Sequence, residues 1–155
     1  MTNSDFSILP AQPEHAVVLS AIAHAAKRHW GYPEAWIQRW AKVLTVTPEY
    51  VERHAVFIAR SGDAIVGFQV VALRGGHAQL EHLWVLPAAM GQGIGRALFA
   101  HAEAGARQSG ATRLWVESDP HAEGFYQRMG MTVFDRKPAP MDDQPRFLPL
   151  LEKNL

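Results

Sequence analysis

The residues with the clearest chemical potential form a short run, Gly91-Gln92-Gly93-Ile94-Gly95. Glycines at alternating positions let the chain turn sharply and bring backbone N–H groups close to a ligand. The amphipathic stretch that follows reads as a helix starting near Gly95, and its first turn adds unpaired donors and the positive end of a dipole. Such a loop suits a phosphate or diphosphate; the other reading is a glycine-rich turn leading into a helix. Two phosphate templates fail here. A P-loop requires a lysine after its last glycine, and none is present. The dinucleotide fingerprint G-x-G-x-x-G fails because its last position is Arg96. Glu117 does stand roughly where an acidic ribose ligand would fall, but the strands before the loop read as hairpins, not as a parallel βαβ unit. A nucleotide-dependent oxidoreductase is therefore disfavoured.

The elements that must hold this loop follow from periodicity. Phe6 to Leu9 reads as a strand. Pro13 opens a helix to about Lys27, with Val18, Leu19, Ile22, Ala25 and Ala26 at helical spacing. Gly31 and Pro33 interrupt it. A second helix carries Trp36, Ile37, Trp40 and Leu44 on one face, and Thr47-Pro48-Glu49 caps a third, short one. Strands then run over Ala55–Arg60, Ala64–Leu73 and His77–Leu86, joined by tight turns at Ser61-Gly62-Asp63 and Arg74-Gly75-Gly76. The loop Pro87 to Gly93 leads into the helix ending at Ser109, with Gly110 at its C′ position. A strand over Thr112–Ser118 and a helix capped by Asp119-Pro120 and running to Met129 come next. Strands at Thr132–Arg136 and Phe147–Leu151 flank a proline-bearing loop, Lys137 to Pro145. With the short third helix left aside, the order is β-α-α-β-β-β-α-β-α-β-β. That order predicts an α/β fold (α+β in its mixed sheet) with helices on both faces.

Composition narrows the function classes. The chain has 155 residues, the size of one domain, and 48% are hydrophobic, enough for one substantial core. Lys plus Arg number 15, as do Asp plus Glu, so no electrostatic footprint marks a nucleic acid or an anionic membrane as partner. No apolar run approaches the roughly 18 residues that span a bilayer. The N-terminus, Met1 to Asp5, lacks the basic and apolar regions of a signal peptide. These features predict a soluble cytoplasmic protein. Cysteine is absent, which excludes disulfides, thiolate metal sites and a cysteine nucleophile. The histidines form no recognisable metal set, so no metal is expected.

The segment Leu83-Trp84-Val85-Leu86-Pro87-Ala88-Ala89-Met90-Gly91-Gln92-Gly93-Ile94-Gly95-Arg96-Ala97-Leu98 closely resembles the acetyl-CoA motif of the GCN5-related N-acetyltransferase (GNAT) family, [Q/R]-x-x-G-x-[G/A] after a strand ending in V-x-P. The segment from Glu117 to Met131, with Asp119-Pro120-His121-Ala122 and Phe125-Tyr126, resembles the family's later motif, N-x-x-A-x-x-F-Y-x-x-x-G-F. Met90 stands where the family usually has Arg or Gln, His121 where it often has Asn, and Met131 where it has Phe. The resemblance covers the chain end to end and implies one acyltransferase domain over residues 1–155. It implies acetyl-CoA as co-substrate, with strands four and five splaying apart to admit pantetheine. The backbone of Leu83, Trp84 and Val85 would bind that arm, with His121 nearby. Met90, Gly91, Gln92, Gly93, Ile94, Gly95 and Arg96 would hold the diphosphate, mainly through backbone amides.

The resemblance also implies direct transfer of an acetyl group to a primary amine. Tyr126 matches the family's tyrosine and would hydrogen-bond or protonate the departing thiolate and touch the cofactor; the other reading is an aromatic core pair with Phe125. Glu81 is the expected base. Strict alternation along the strand puts Gln79, Glu81, Leu83 and Val85 on one face and turns His82 the other way, as a packed histidine. A surface carboxylate is the alternative reading of Glu81. A backbone N–H near Val85 is the expected oxyanion donor. In this fold the first two helices line the acceptor site, which marks Trp30 and Tyr32 as an aromatic wall; closure of a hydrophobic core by the tryptophans is the alternative. Asp142 and Asp143 read as solvated turn residues or as attractors of a cationic amine. The acceptor is expected to be a small-molecule or peptide amine, and a homodimer through the last strands or the helices is compatible with the sequence. A non-catalytic module that senses acyl-CoA is the rival reading.

Overall fold

The structure, a computed structural model, describes residues 5–155. Met1 to Ser4, on which the reading of the N-terminus partly rests, lie outside the described residues. Seven strands form one mixed sheet in the order β1-β2-β3-β4-β5-β7-β6. They are β1 (Ser7–Pro10), β2 (Ala55–Ser61), β3 (Ala64–Arg74), β4 (His77–Val85), β5 (Arg113–Glu117), β6 (Thr132–Pro138) and β7 (Phe147–Asn154). Only β4 and β5 pair in parallel, because a helix carries the chain between them.

Each face of the sheet has its own cover. The first consists of α1 (Ala16–His29), α2 (Glu34–Arg39), α3 (Ala41–Leu44) and α4 (Pro48–Arg53). The helix expected to run unbroken from Trp36 to Leu44 divides at Trp40 into α2 and α3. Leu19, Ile22, Ala23 and Ala26 recur at helical spacing along α1 and are buried. Leu19, Ile22 and Ala23 share a core with Ile58, Phe68 and Val70 of the sheet. The opposite cover is α5 (Ile94–Gln108) and α6 (Glu123–Arg128). Phe99, Ala102 and Ala106 of α5 pack on Ala78, Leu80, Leu114 and Val116. Gly110 adopts φ +88°, the left-handed geometry expected of the residue that ends a helix. Asp119 caps a short 3-10 turn, Pro120–Ala122, which runs on into α6; its carboxylate accepts the His121 N–H. The strand β7 extends three residues beyond the expected Leu151.

Two features of β4 shape the centre of the molecule. Pairing between β4 and β5 runs from His77↔Arg113 to Leu80↔Val116 and stops. Beyond that point β4 stays with β3 and β5 stays with β7. The register between β3 and β4 also shifts here: Val71 faces Leu80 and Val70 faces His82, leaving Glu81 as the extra residue of a β-bulge. An extra residue bends its strand and raises the local twist. The bend therefore falls where β4 parts from β5.

Candidate active site

The parting strands open a cleft of about 890 Å³ that passes through the middle of the molecule. Its walls include Leu83, Trp84 and Val85 from β4, Met90, Gly91, Gly93, Gly95 and Arg96 from the glycine loop, and Val116 to Asp119 from the end of β5. Because β5 has turned away, the edge of β4 beyond Leu80 has no strand partner on that side.

The glycine loop lies at one end. Gly91 and Gly93 have φ +80° and +83°, values that cost an L side chain about 1–2 kcal/mol. Gly95 has an ordinary helical φ but lies against a neighbour: a Cβ there would meet the Phe125 ring at 3.4 Å. Gly93 caps α5 without any side-chain hydrogen bond. The N–H groups of Ile94, Gly95 and Arg96 open the helix and have no intrahelical acceptor. Among the described residues, no backbone acceptor outside the helix takes the N–H of Gly91, Gln92 or Gly93 either. Amides without a backbone acceptor thus gather beside the cleft at the positive end of a 15-residue helix, an arrangement that favours negative charge.

At the waist of the cleft, Tyr126 is 6% exposed and lies 5.2 Å from the Phe125 ring and 6.3 Å from Phe99, centroid to centroid. It belongs to the core, yet it also lines the cleft. Burial, reinforced by the negative charge of Asp119, raises its phenol above the ordinary tyrosine range. At neutral pH Tyr126 is therefore a protonated hydrogen-bond donor.

Glu81 also lines the cleft, but on a different face of β4 from the one alternation predicts. The bulge breaks the period of two, so Glu81 and His82 both turn toward α4. Tyr50 donates its hydroxyl to Glu81 Oε1 at 2.6 Å, and Arg74 approaches Oε2 at 3.3 Å. Leu83 and Val85 instead pack on the α5 side. His82 is a packed histidine, as expected. Its Nδ1 accepts the Trp84 indole N–H at 3.0 Å. Burial lowers its pKa to about 4, against the opposing pull of Glu81.

A dense polar and aromatic cluster lies toward α1. Lys27, 8% exposed, pairs with Asp119 Oδ2 at 2.5 Å. His121 Nδ1 lies 2.9 Å from Asp119 Oδ1, and the Tyr32 hydroxyl reaches both carboxylate oxygens, at 3.2 and 3.0 Å. Burial alone would raise the Asp119 pKa, but Lys27 and the bonds from His121 prevail and hold it low. Burial lowers the Lys27 pKa despite Asp119, and Arg146 lowers it further. Burial pushes Tyr32 up to about 12. Arg146 stacks over Trp40 at 4.8 Å and over Tyr32 at 5.4 Å. Trp30 stacks on His121 at 5.1 Å with an interplanar angle of 7°.

The profile of the Acetyltransferase (GNAT) family matches residues 19–131, a span that contains the bulged strand, the glycine loop and Tyr126. The chain belongs to this family. Solved structures agree on the fold. A GCN5-related N-acetyltransferase from Rhodopseudomonas palustris superposes with a TM-score of 0.81 at 24% identity, over 100% of this chain and 99% of that one. The PaiA N-acetyltransferase from Thermoplasma acidophilum, solved in complex with coenzyme A, gives 0.80 at 19% identity, over 97% and 99%. The ribosomal-protein-S18-alanine N-acetyltransferase from Escherichia coli gives 0.69 at 20%, over 96% and 93%. No curated protein sequence matches the chain.

Within this GNAT domain most of the residues singled out from sequence do meet at one cleft. Leu83 to Val85, Met90, most of the glycine loop, His121, Tyr126, Glu81 and Trp30 all border it. Gln92 is exposed beside it, and Tyr32 stands behind it as a support for Asp119 and His121. Asp142 does not await an amine: it accepts the Trp36 indole N–H at 2.7 Å and pairs with Arg39 at 2.8 Å, pinning the loop before β7 to α2. Lys27, Trp40, Tyr50 and Arg146 join the cleft or its supports without having been singled out, and Asp119 had been read only as a cap. Lys27 left a visible signal: it falls four residues after Ala23, on the apolar stripe of α1, where a lysine is out of place. Tyr50 and Arg146 left none, since only the folded chain brings them to Glu81 and Asp119. No described helix is long and apolar enough to cross a membrane.

Proposed function

We propose that this acyltransferase moves the acetyl group of acetyl-CoA directly to a primary amine, and that the whole chain acts as one such domain. The observation that carries the reading is the junction of the glycine-loop amides with the β4/β5 opening. One end is built for a diphosphate and the other leads past Tyr126 and Glu81 to a separate, polar chamber. A ternary complex fits that shape, with donor and acceptor entering from opposite ends. The neighbours solved with coenzyme A and acetyl-CoA support the donor.

The chemistry follows from the side chains. The acceptor ammonium gives one proton to Glu81, directly or through water, and becomes a nucleophile. Its nitrogen bonds to the thioester carbonyl carbon while an N–H near Val85 receives the oxyanion. Collapse breaks the C–S bond, the electron pair leaves on sulfur as the thiolate, and the nitrogen gives its second proton to solvent. A thiol has an ordinary pKa near 8.5, well below the raised phenol of Tyr126. Tyr126 therefore stabilises the thiolate by donating a hydrogen bond, and solvent completes the protonation.

The test is to follow free thiol after mixing the protein with acetyl-CoA and a broad amine panel, and to measure CoA affinity in parallel. Amine-dependent thiol release supports transfer. Tight CoA binding without release across the panel would favour an acyl-CoA sensor, and absence of CoA binding would defeat both.

A further inference from the structure

The acceptor end of the cleft gathers two cations around a single carboxylate. The Asp119 carboxylate offers about four acceptor positions, and Lys27, the His121 backbone N–H, His121 Nδ1 and the Tyr32 hydroxyl lie at them, between 2.5 and 3.2 Å. Arg146 comes last, with one terminal nitrogen 3.7 Å from Asp119 Oδ2 and 3.5 Å from the Tyr32 hydroxyl. Its side chain is 11% exposed, and its Nε is buried with no partner. A guanidinium stays charged and has five donors in a planar fork. Buried charges are normally paired. Here two cations, Lys27 and Arg146, surround one carboxylate whose lone pairs are already used, and both cations line the cleft. The CoA phosphates belong at the other end, on the glycine loop, so they do not supply the missing anion.

We propose that Arg146, with Lys27 beside it, docks a carboxylate carried by the acceptor, so that the amine acetylated is that of an amino acid. This rests on the acetyl-transfer reading and names its substrate class. A zwitterion matches the chamber: its amine turns toward Glu81 and its carboxylate toward the guanidinium fork, which takes carboxylates bidentately. Trp30, Trp40 and Val43 form the rest of the wall, and Val43 is 67% exposed although apolar. They suit an apolar or aromatic side chain.

The experiment compares free L-amino acids with their carboxamides and with the corresponding decarboxylated amines, using thiol release and quenching of tryptophan fluorescence in the presence of CoA. The expected result is kcat/KM for the best acid at least about 100-fold above its carboxamide. R146Q should bring that ratio near one with CoA affinity unchanged, and R146K should restore part of it. Equal turnover of acid and carboxamide would overturn the inference while leaving acetyl transfer intact. So would binding or turnover of simple amines with neither seen for any carboxylate, or CoA binding with no amino acid bound or acetylated. If R146Q instead alters the choice between acetyl-CoA and succinyl-CoA, the carboxylate belongs to the acyl donor and the inference fails. Absence of CoA binding would sink the underlying reading as well.

Discussion

Tyr126 is informative because a core residue can also border the cleft. It is packed in the core and it also faces the cleft, and burial raises its phenol further above the ordinary tyrosine range. Tyr126→Phe keeps the packing and removes the donor, so kcat should fall about 100-fold with CoA affinity unchanged. Turnover within about twofold of wild type would take Tyr126 out of the reaction. Glu81 depends on a partner that sequence did not reveal. Tyr50 donates to it at 2.6 Å, which fixes the direction in which the carboxylate points. Tyr50→Phe should lower kcat/KM by freeing that carboxylate to reorient, and Glu81→Gln should lower it further with CoA affinity unchanged. Turnover of Glu81→Gln within about twofold of wild type would take Glu81 out of the reaction. The individual site residues with local signatures, glycines and the Phe-Tyr pair, were legible in the sequence. Asp119, Arg146 and Tyr50 acquire their roles from partners 27 to 92 positions away in the chain, such as Lys27 for Asp119, and no local pattern records that.

At the scale of elements, the fold was largely readable and its irregularities were not. Alternation and helical spacing located every strand, and Gly110 ended α5 as its type suggests. The bulge at Glu81 is different, because it exists only in the register between β3 and β4. It turned the expected base from the α5 side of the sheet to the α4 side, a one-residue slip that flips a face. The break of the second helix falls at Trp40, which packs against the core on one side and sits under Lys27 and Arg146 on the other. The loop-to-helix junction allows a test of its own. An alanine at Gly93 must adopt φ near +83° at a cost of about 1 kcal/mol. If the amides there hold the diphosphate, Gly93→Ala should raise the CoA dissociation constant about fivefold while the circular dichroism spectrum stays native. Unchanged affinity in that variant would argue that the diphosphate is held elsewhere.

At the scale of the molecule, the opening between β4 and β5 lies between the two helical covers, and the residues proposed for the reaction come from both sides of it. Tyr126 belongs to the α6 side, while Lys27 and Tyr50 come from α1 and α4. The strand β4 therefore has to be rigid where it is bent, and His82 stands at that bend, with its ring 5.7 Å from Tyr50 and 5.8 Å from Phe68. Its folded pKa of about 4 lies below the ordinary histidine value of 6.5, so the unfolded chain binds the extra proton first. The stability this neutral histidine contributes is complete above pH 6.5 and is lost as pH falls toward 4. Linkage gives a loss on the order of 2 kcal/mol between pH 7.5 and 5. Glu81 opposes that loss and His54 adds to it, and the pKa of about 4 already includes both neighbours. His82→Gln retains an acceptor for the Trp84 indole but no titrating group. Urea unfolding across this range should show wild type losing about 2 kcal/mol more than His82→Gln. Parallel curves for the two proteins would mean that His82 is solvated enough to titrate normally and does not stiffen the bend.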